Sequence, residues 1–280
     1  MNIFIEIIKF TVYALAIVII SKKFLVPILR NLARSLNLES KTVGNIAGIA
    51  TSMPEFLSVS FSAFRGLLDT SIYNIISSNF INLFLYSLSM ILNKNIDKLK
   101  NKALKVDLII SLLTIIIPFA LLAINIEMNL SIIPLLIFLF ILFYTINKNS
   151  HNLYLDEYKE EEKIEYESKN TKQKVKIIIK HTLYLILTGI SLFIFGNLLS
   201  EVVERLSTLF NVPQIILGIT LGIVTSIPEV ITFFEAQRYN NKQDEKMEGV
   251  IETTNNLLTS NLMNLCIIQS VGIFIAGIFI

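Results

Sequence analysis

The sequence predicts an all-α integral membrane protein built from two related halves, the second inverted relative to the first. Three observations carry this prediction. The chain of 280 residues is 53% hydrophobic and has a mean hydropathy of +0.65. Its apolar runs follow one another, each near the ~20 residues that cross a bilayer as a helix. A short polar pattern inside an early run also recurs inside a late one. Residues 48–55 read Gly-Ile-Ala-Thr-Ser-Met-Pro-Glu and residues 222–229 read Gly-Ile-Val-Thr-Ser-Ile-Pro-Glu.

About eight spans are expected, near 3–20, 43–65, 71–92, 106–125, 130–147, 177–200, 213–236 and 251–279. The first begins with an acidic residue, Glu6, lacks a small-residue cleavage site and is closely followed by the next span. It therefore reads as a helix rather than a signal peptide. The last is long enough to tilt or to hide a break near Gln269–Gly272. Residues 1–147 form the first repeat, with its polar motif in 43–92. Residues 148–176 form a charged linker containing Glu160, Glu161 and Glu162, and 177–280 form the second repeat, with its motif in 213–268. Five spans precede the linker. Five is odd, so the second repeat enters from the opposite side, an arrangement suited to alternating access at a midplane site.

Charge sets the expected orientation. Of 24 basic residues, 21 fall in the loops 1–2, 3–4, 5–6 and 7–8. The exceptions are Lys9, Arg65 and Arg205. The excess of Lys and Arg places those four loops in the cytoplasm and the N-terminus outside. The net charge of +2 is uninformative, and the single cysteine, Cys266, excludes an internal disulfide. His151 and His181 read as ordinary interfacial residues.

The repeated motifs carry the chemistry. A carboxylate at membrane depth costs roughly 2.5–3.5 kcal/mol on insertion scales and marks a functional site by default. In a helix, Thr51, Ser52 and Glu55 share one face, and broken backbone near the proline is tolerated where it lines a site. Pro54 cannot donate to the carbonyl of Ala50, and Gly48 allows another backbone close. Gly222, Thr225, Ser226, Pro228 and Glu229 repeat the set. The next span in each half carries a polar stripe of spacing four: Asn74, Ser78 and Asn82, then Asn256, Ser260 and Asn264. Isolated Ser, Thr or Asn residues in membrane helices usually hold helices together. Recurrence of the whole set argues instead for a site. Every donor is oxygen, which suits Ca²⁺, Na⁺ or Mg²⁺ and not zinc or copper. Mg²⁺ gives up water reluctantly, so a dry cage favours Ca²⁺ and Na⁺.

As a paired set, the Thr-Ser-x-Pro-Glu and Ser-Asn-x-x-Asn segments resemble the alpha repeats of the cation/calcium antiporter superfamily, typified by sodium/calcium exchangers. The resemblance implies a ten-helix inverted-repeat antiporter fold, with a site between helices 2, 3, 7 and 8. Its implied ligands are Thr51, Ser52, Glu55, Ser78 and Asn82, then Thr225, Ser226, Glu229, Ser260 and Asn264, with carbonyls near Gly48 and Gly222. It implies a multi-pass cell-membrane antiporter, not an enzyme, that extrudes Ca²⁺ in exchange for Na⁺. No cofactor is implied beyond the transported ions, and no nucleic-acid partner.

Two departures shape these expectations. Sodium/calcium exchangers generally place an aspartate where this chain has Asn264, leaving two formal negative charges instead of three. That opens the alternative of a proton/calcium antiporter using the same site. The sequence also stops about 16 residues after Asn264, where the resemblance implies two more helices. The readings left open are a truncated chain, a reduced variant, or an incomplete membrane subunit that needs a partner.

Overall fold

Backbone N–H and C=O groups in a bilayer core have no water to bond, so an apolar chain must satisfy them within helices. A computed structural model describes residues 3–36, 38–154, 171–210, 213–242 and 246–279, and these are helices and short connections without a strand. Helix α1 (Ile3–Ile20) runs through a π-helical turn, Ser21–Leu25, into α2 (Val26–Ser35). Then come α3 (Ser40–Thr51), α4 (Met53–Phe64), α5 (Leu68–Leu92), α6 (Lys102–Ala123) and α7 (Ile133–Tyr154). The second half holds α8 (Thr171–Phe210), α9 (Gln214–Thr225), α10 (Ile227–Lys242), α11 (Lys246–Leu262) and α12 (Gln269–Phe279). A π-helical stretch, Met263–Ile268, joins α11 to α12.

Among the described residues, six segments are long and apolar enough to cross a membrane. They coincide with six of the eight expected spans. The other two expectations, 3–20 and 43–65, fall on α1 and on the α3–α4 pair. Their outward faces carry large apolar side chains, as do α6 (Ile109, Leu112), α7 (Phe138, Ile141) and α8 (Ile186, Phe193). Lipid is the natural cover for such a surface, and the chain is a multi-pass membrane protein. Of the charged linker, residues 155–170, including Glu160–Glu162, lie outside the described residues.

Two spans are broken, as their prolines lead one to expect. The span at 43–65 stops at Thr51 and resumes at Met53, with Ser52 between. The span at 213–236 stops at Thr225 and resumes at Ile227, with Ser226 between. The cause is the proline two residues on, which suits the first turn of a new helix better than the interior of an old one. The carbonyl expected to be freed is not free: cap N–H groups reach Ala50 O and Gly48 O, and Val224 O and Gly222 O in the second copy. In the last span the irregularity sits at Met263–Ile268, earlier than Gln269–Gly272.

The halves interleave. Helix α3 lies along α11, and α9 lies along α5. Glycines make both approaches possible. A Cβ on Gly48 would stand 2.8 Å from Asn256 O, and one on Gly44 would overlap Glu252 O. A Cβ on Gly218 would stand 2.6 Å from Thr70 O, and one on Gly222 would stand 2.5 Å from Asn74 O. Small residues spaced by four are the usual device for close helix approach in lipid. Gly44 and Gly218 complete the pairs whose other members the motif contains.

Two flanks support this centre. Helices α1, α2 and α8 pack through Ile17, Leu29, Leu192, Leu199 and Val203. Helices α6 and α7 pack against α11 and the π-helical stretch through Ile110, Leu136, Phe143, Leu262 and Leu265. At one end, Lys9, Arg65 and Arg205 converge. Lys9 Nζ donates to Glu6 Oε1 at 2.8 Å, Arg65 Nη1 to Glu204 Oε2 at 2.6 Å, and Arg205 Nη2 to Glu201 Oε2 at 2.8 Å. Arg205 Nη1 lies 4.0 Å from Glu6 Oε1 and Arg65 Nη2 lies 3.6 Å from Glu201 Oε1, so the pairs join into one network.

His151 is a second correction. It is buried, with Nε2 2.7 Å from Asp107 Oδ2, while Asn147 Nδ2 donates to Asp107 Oδ1 at 2.7 Å. Asp107 lies in an apolar helix, and a buried carboxylate demands partners. The turns of α7 that face it supply them. His181 is partly buried.

Candidate cation site

The breaks at Ser52 and Ser226 place each carboxylate in the first turn of a helix. Glu55 begins α4 and Glu229 begins α10. Each carboxylate thus sits near the positive end of a helix dipole. Ser52-Met53-Pro54-Glu55 has the spacing of a capping box, in which serine and glutamate would close on the local backbone. Ser52 makes no side-chain cap bond. Its hydroxyl lies 2.9 Å from Gly48 O and 2.8 Å from Ser260 Oγ, and Glu55 turns to Ser78. Local capping has yielded to contacts between spans, a departure expected at a functional site.

Ser78 Oγ donates to Glu55 Oε1 at 2.9 Å and touches Ser226 Oγ at 2.7 Å. Ser260 Oγ donates to Glu229 Oε1 at 3.1 Å and touches Ser52 Oγ at 2.8 Å. Each carboxylate is thus bonded within its own half and linked through one hydroxyl to the break of the other. Thr225 stands beside Glu55, and Thr51 beside Glu229. The threonine hydroxyls also bond their own helices, Thr51 to Ala47 O at 2.8 Å and Thr225 to Leu221 O at 3.0 Å. The carbonyls of Gly48 and Gly222 accept from Ser52 and Ser226.

All ten sequence-predicted positions lie in this one cluster, and none is more than 1% exposed. Four of their oxygens have no hydrogen-bond partner: Glu55 Oε2, Glu229 Oε2, Asn82 Oδ1 and Asn264 Oδ1. Each of these atoms accepts and cannot donate when the carboxylates are charged. Leaving one such buried group unpaired costs about 1–3 kcal/mol, and more when it is charged. Four unpartnered acceptors, two of them carboxylate oxygens, suit a desolvated hard cation. No group of three or more His, Cys, Asp or Glu placed to hold a metal ion occurs among the described residues. Any cage here must complete itself with neutral oxygens.

The sequence reading did not single out four polar neighbours. Ser58 Oγ accepts from Asn74 Nδ2 at 3.0 Å, and Thr232 Oγ1 accepts from Asn256 Nδ2 at 2.6 Å. Both lie three residues beyond a carboxylate, at matching positions of the two copies. Asn79 and Asn261 bond each other's backbone across the halves. Their identity was visible in the repeated Ser-Asn-x-x-Asn words, but their direction was not.

Two broken helices, one in each half, thus bring two buried carboxylates into one oxygen-lined cluster of a membrane protein. The chain belongs to the sodium/calcium exchanger protein family, whose model matches residues 7–147 and 180–280. Solved structures of the sodium-calcium exchanger NCX_Mj share its fold. The form soaked with 100 mM Na⁺ and 10 mM Sr²⁺ is 18% identical, with a TM-score of 0.59 over 98% of this chain and 83% of that one. The form soaked with 2.5 mM Na⁺ and 0.1 mM Ca²⁺ is 20% identical, with a TM-score of 0.58 over 98% and 83%. The form soaked with 10 mM Na⁺ and no Ca²⁺ is 17% identical, with a TM-score of 0.58 over 98% and 84%. At such identity the likeness is one of fold. No curated protein matches the chain in sequence.

Proposed function

We propose that this protein is a secondary antiporter that exports Ca²⁺ from the cytoplasm in exchange for Na⁺. The observation that carries the reading is the set of four unpartnered buried oxygens around Glu55 and Glu229. In this mechanism both glutamates hold dehydrated Ca²⁺, with Asn82 and Asn264 as neutral ligands and Thr51, Ser52, Ser78, Thr225, Ser226 and Ser260 around them. Incoming monovalent cations take the carboxylates and release Ca²⁺. An empty site would leave two charges unpaired in a low dielectric, so the empty carrier changes sides slowly and the fluxes couple. The steps are binding and release, with no covalent chemistry. The basic loops face the cytoplasm. The convergence of Lys9, Arg65 and Arg205 in one network supports this, because all three belong to the other side.

A specific residue favours a second reading, in which protons replace Na⁺. With Asn264 in the cage the formal charge is two negatives, which two protons neutralise as well as one Ca²⁺. The test is ⁴⁵Ca²⁺ uptake into proteoliposomes carrying either an outward Na⁺ gradient or a pH gradient alone, with Glu55→Gln as the blank. Uptake with Na⁺ supports the first reading and uptake only with the pH gradient supports the second. Uptake with neither, from folded protein, overturns both.

A further inference from the structure

Asn82 and Asn264 serve as cation ligands only if their amides present oxygen to the cavity. An amide can turn either way, and the NH₂ end would repel a cation. The hydrogen bonds around each one determine which end faces in.

Two backbone carbonyls decide the matter. Asn79 Nδ2 donates to Asn261 O at 3.2 Å, and Asn261 Nδ2 donates to Asn79 O at 3.3 Å. A carbonyl can only accept, so both amides have their NH₂ ends committed and their oxygens turned away from the backbone. Those oxygens are themselves occupied. Asn79 Oδ1 accepts from Asn264 Nδ2 at 3.0 Å, and Asn261 Oδ1 accepts from Asn82 Nδ2 at 3.2 Å. The remaining NH₂ contacts of the two ligands go to serine hydroxyls, Asn264 to Ser78 Oγ at 3.4 Å and Asn82 to Ser260 Oγ at 3.3 Å. What is left over is Asn82 Oδ1 and Asn264 Oδ1, buried and unpartnered. All four asparagines are fully buried.

We infer that Asn79 and Asn261 are positioning residues that fix the amides of Asn82 and Asn264 with their oxygens toward the transported cation. This rests on the proposed function, since it assigns polarity to two of that site's ligands. The arrangement is reciprocal. Asn79 of α5 orients Asn264 of the second half, and Asn261 of α11 orients Asn82 of the first. A neutral amide needs this help, whereas a carboxylate at the same place would present oxygen whichever way it turned.

That contrast supplies the test. Half-saturating Ca²⁺ and maximal exchange rate are measured in proteoliposomes for the parent and for Asn79→Ala, and again for both in an Asn264→Asp background. Loss of an outer partner of a metal ligand typically costs 10–100-fold in affinity. Asn79→Ala should therefore raise half-saturating Ca²⁺ by roughly that factor in the parent with the maximal rate largely kept. In the Asn264→Asp background it should bring no loss, because a carboxylate has no wrong end. Asn261→Ala against Asn82→Asp provides an independent second pair should Asn79→Ala fail to fold. Equal losses in both backgrounds would show a merely structural role and overturn the inference. So would an unchanged half-saturation in folded Asn79→Ala and Asn261→Ala. If the parent itself exchanges no Ca²⁺, it is the proposed function that fails, and this inference falls with it.

Discussion

Ser52 and Ser260, 208 residues apart in sequence, touch through their hydroxyls at 2.8 Å, and Ser260 bonds Glu229. Ser226 and Ser78 repeat the arrangement around Glu55 at 2.7 Å. The break of each half thus reaches the carboxylate of the other through one serine. This crossing ties the surroundings of the two glutamates together, and several outcomes depend on it.

Glu55→Gln keeps the shape of the side chain and removes its charge. It should abolish Ca²⁺ exchange while leaving membrane insertion and monodispersity intact. Glu229→Gln should do the same, because the proposed mechanism holds Ca²⁺ on both carboxylates. Normal ⁴⁵Ca²⁺ flux in either variant would remove that carboxylate from the mechanism.

Asn264→Asp adds a third negative charge beside Ser78 and Asn79. It should raise the dependence of exchange on Na⁺ and weaken its dependence on pH. The comparison is made in proteoliposomes, with Na⁺ gradient and pH gradient varied separately. No change in either dependence would show that this position does not select the driving ion.

Gly222→Leu drives a side chain into Asn74 O, Ser77 Oγ and Ser78 N of α5. Overpacking a tight contact costs about 1–3 kcal/mol, and here the obstacle is backbone. The thermal midpoint in detergent should fall and exchange should be lost. Gly189 has nothing within 4 Å of a Cβ, so Gly189→Ala should stay within about 1 kcal/mol of the parent. Equal stability for the two variants would refute the close α9–α5 contact.

His151→Leu strands Asp107 Oδ2 in an apolar interface. Stranding a buried acceptor costs about 1–3 kcal/mol, and a loss of that order is expected in a denaturation measurement. His151→Gln, which can still donate, should lose less. If both variants matched the parent, the bond to Asp107 would contribute nothing to holding α7 on α6.

The centre of the molecule was far more legible than its supports. The duplicated words gave away Glu55, Glu229 and the hydroxyl and amide stripes, because a polar residue inside an apolar run stands out. The second glycine of each close approach was missed, although Gly44 and Gly218 lie four residues before glycines already noted. Asn79 and Asn261 stood in plain view, but their job depends on which backbone carbonyl each one faces across the halves. Asp107 and His151 are 44 residues apart, and nothing local links them. The helix breaks were signalled by Pro54 and Pro228. Their effect was misjudged because the chain restarts a helix there and caps the carbonyls that a simple kink would have left open.

The interleaving also sets a schedule for biosynthesis. Helix α3 is made more than 200 residues before the α11 segment that covers its glycine face. At typical synthesis rates of 5–20 residues per second, it must wait roughly 10–40 s for that partner. During that interval Glu55 already has Ser78 of its own half, while Ser52 and Asn82 lack the Ser260 hydroxyl that α11 brings. A nascent chain stalled before Lys246 would hold the surroundings of Glu55 but leave Glu229 without Ser260, so the two sides of the centre are completed at different times.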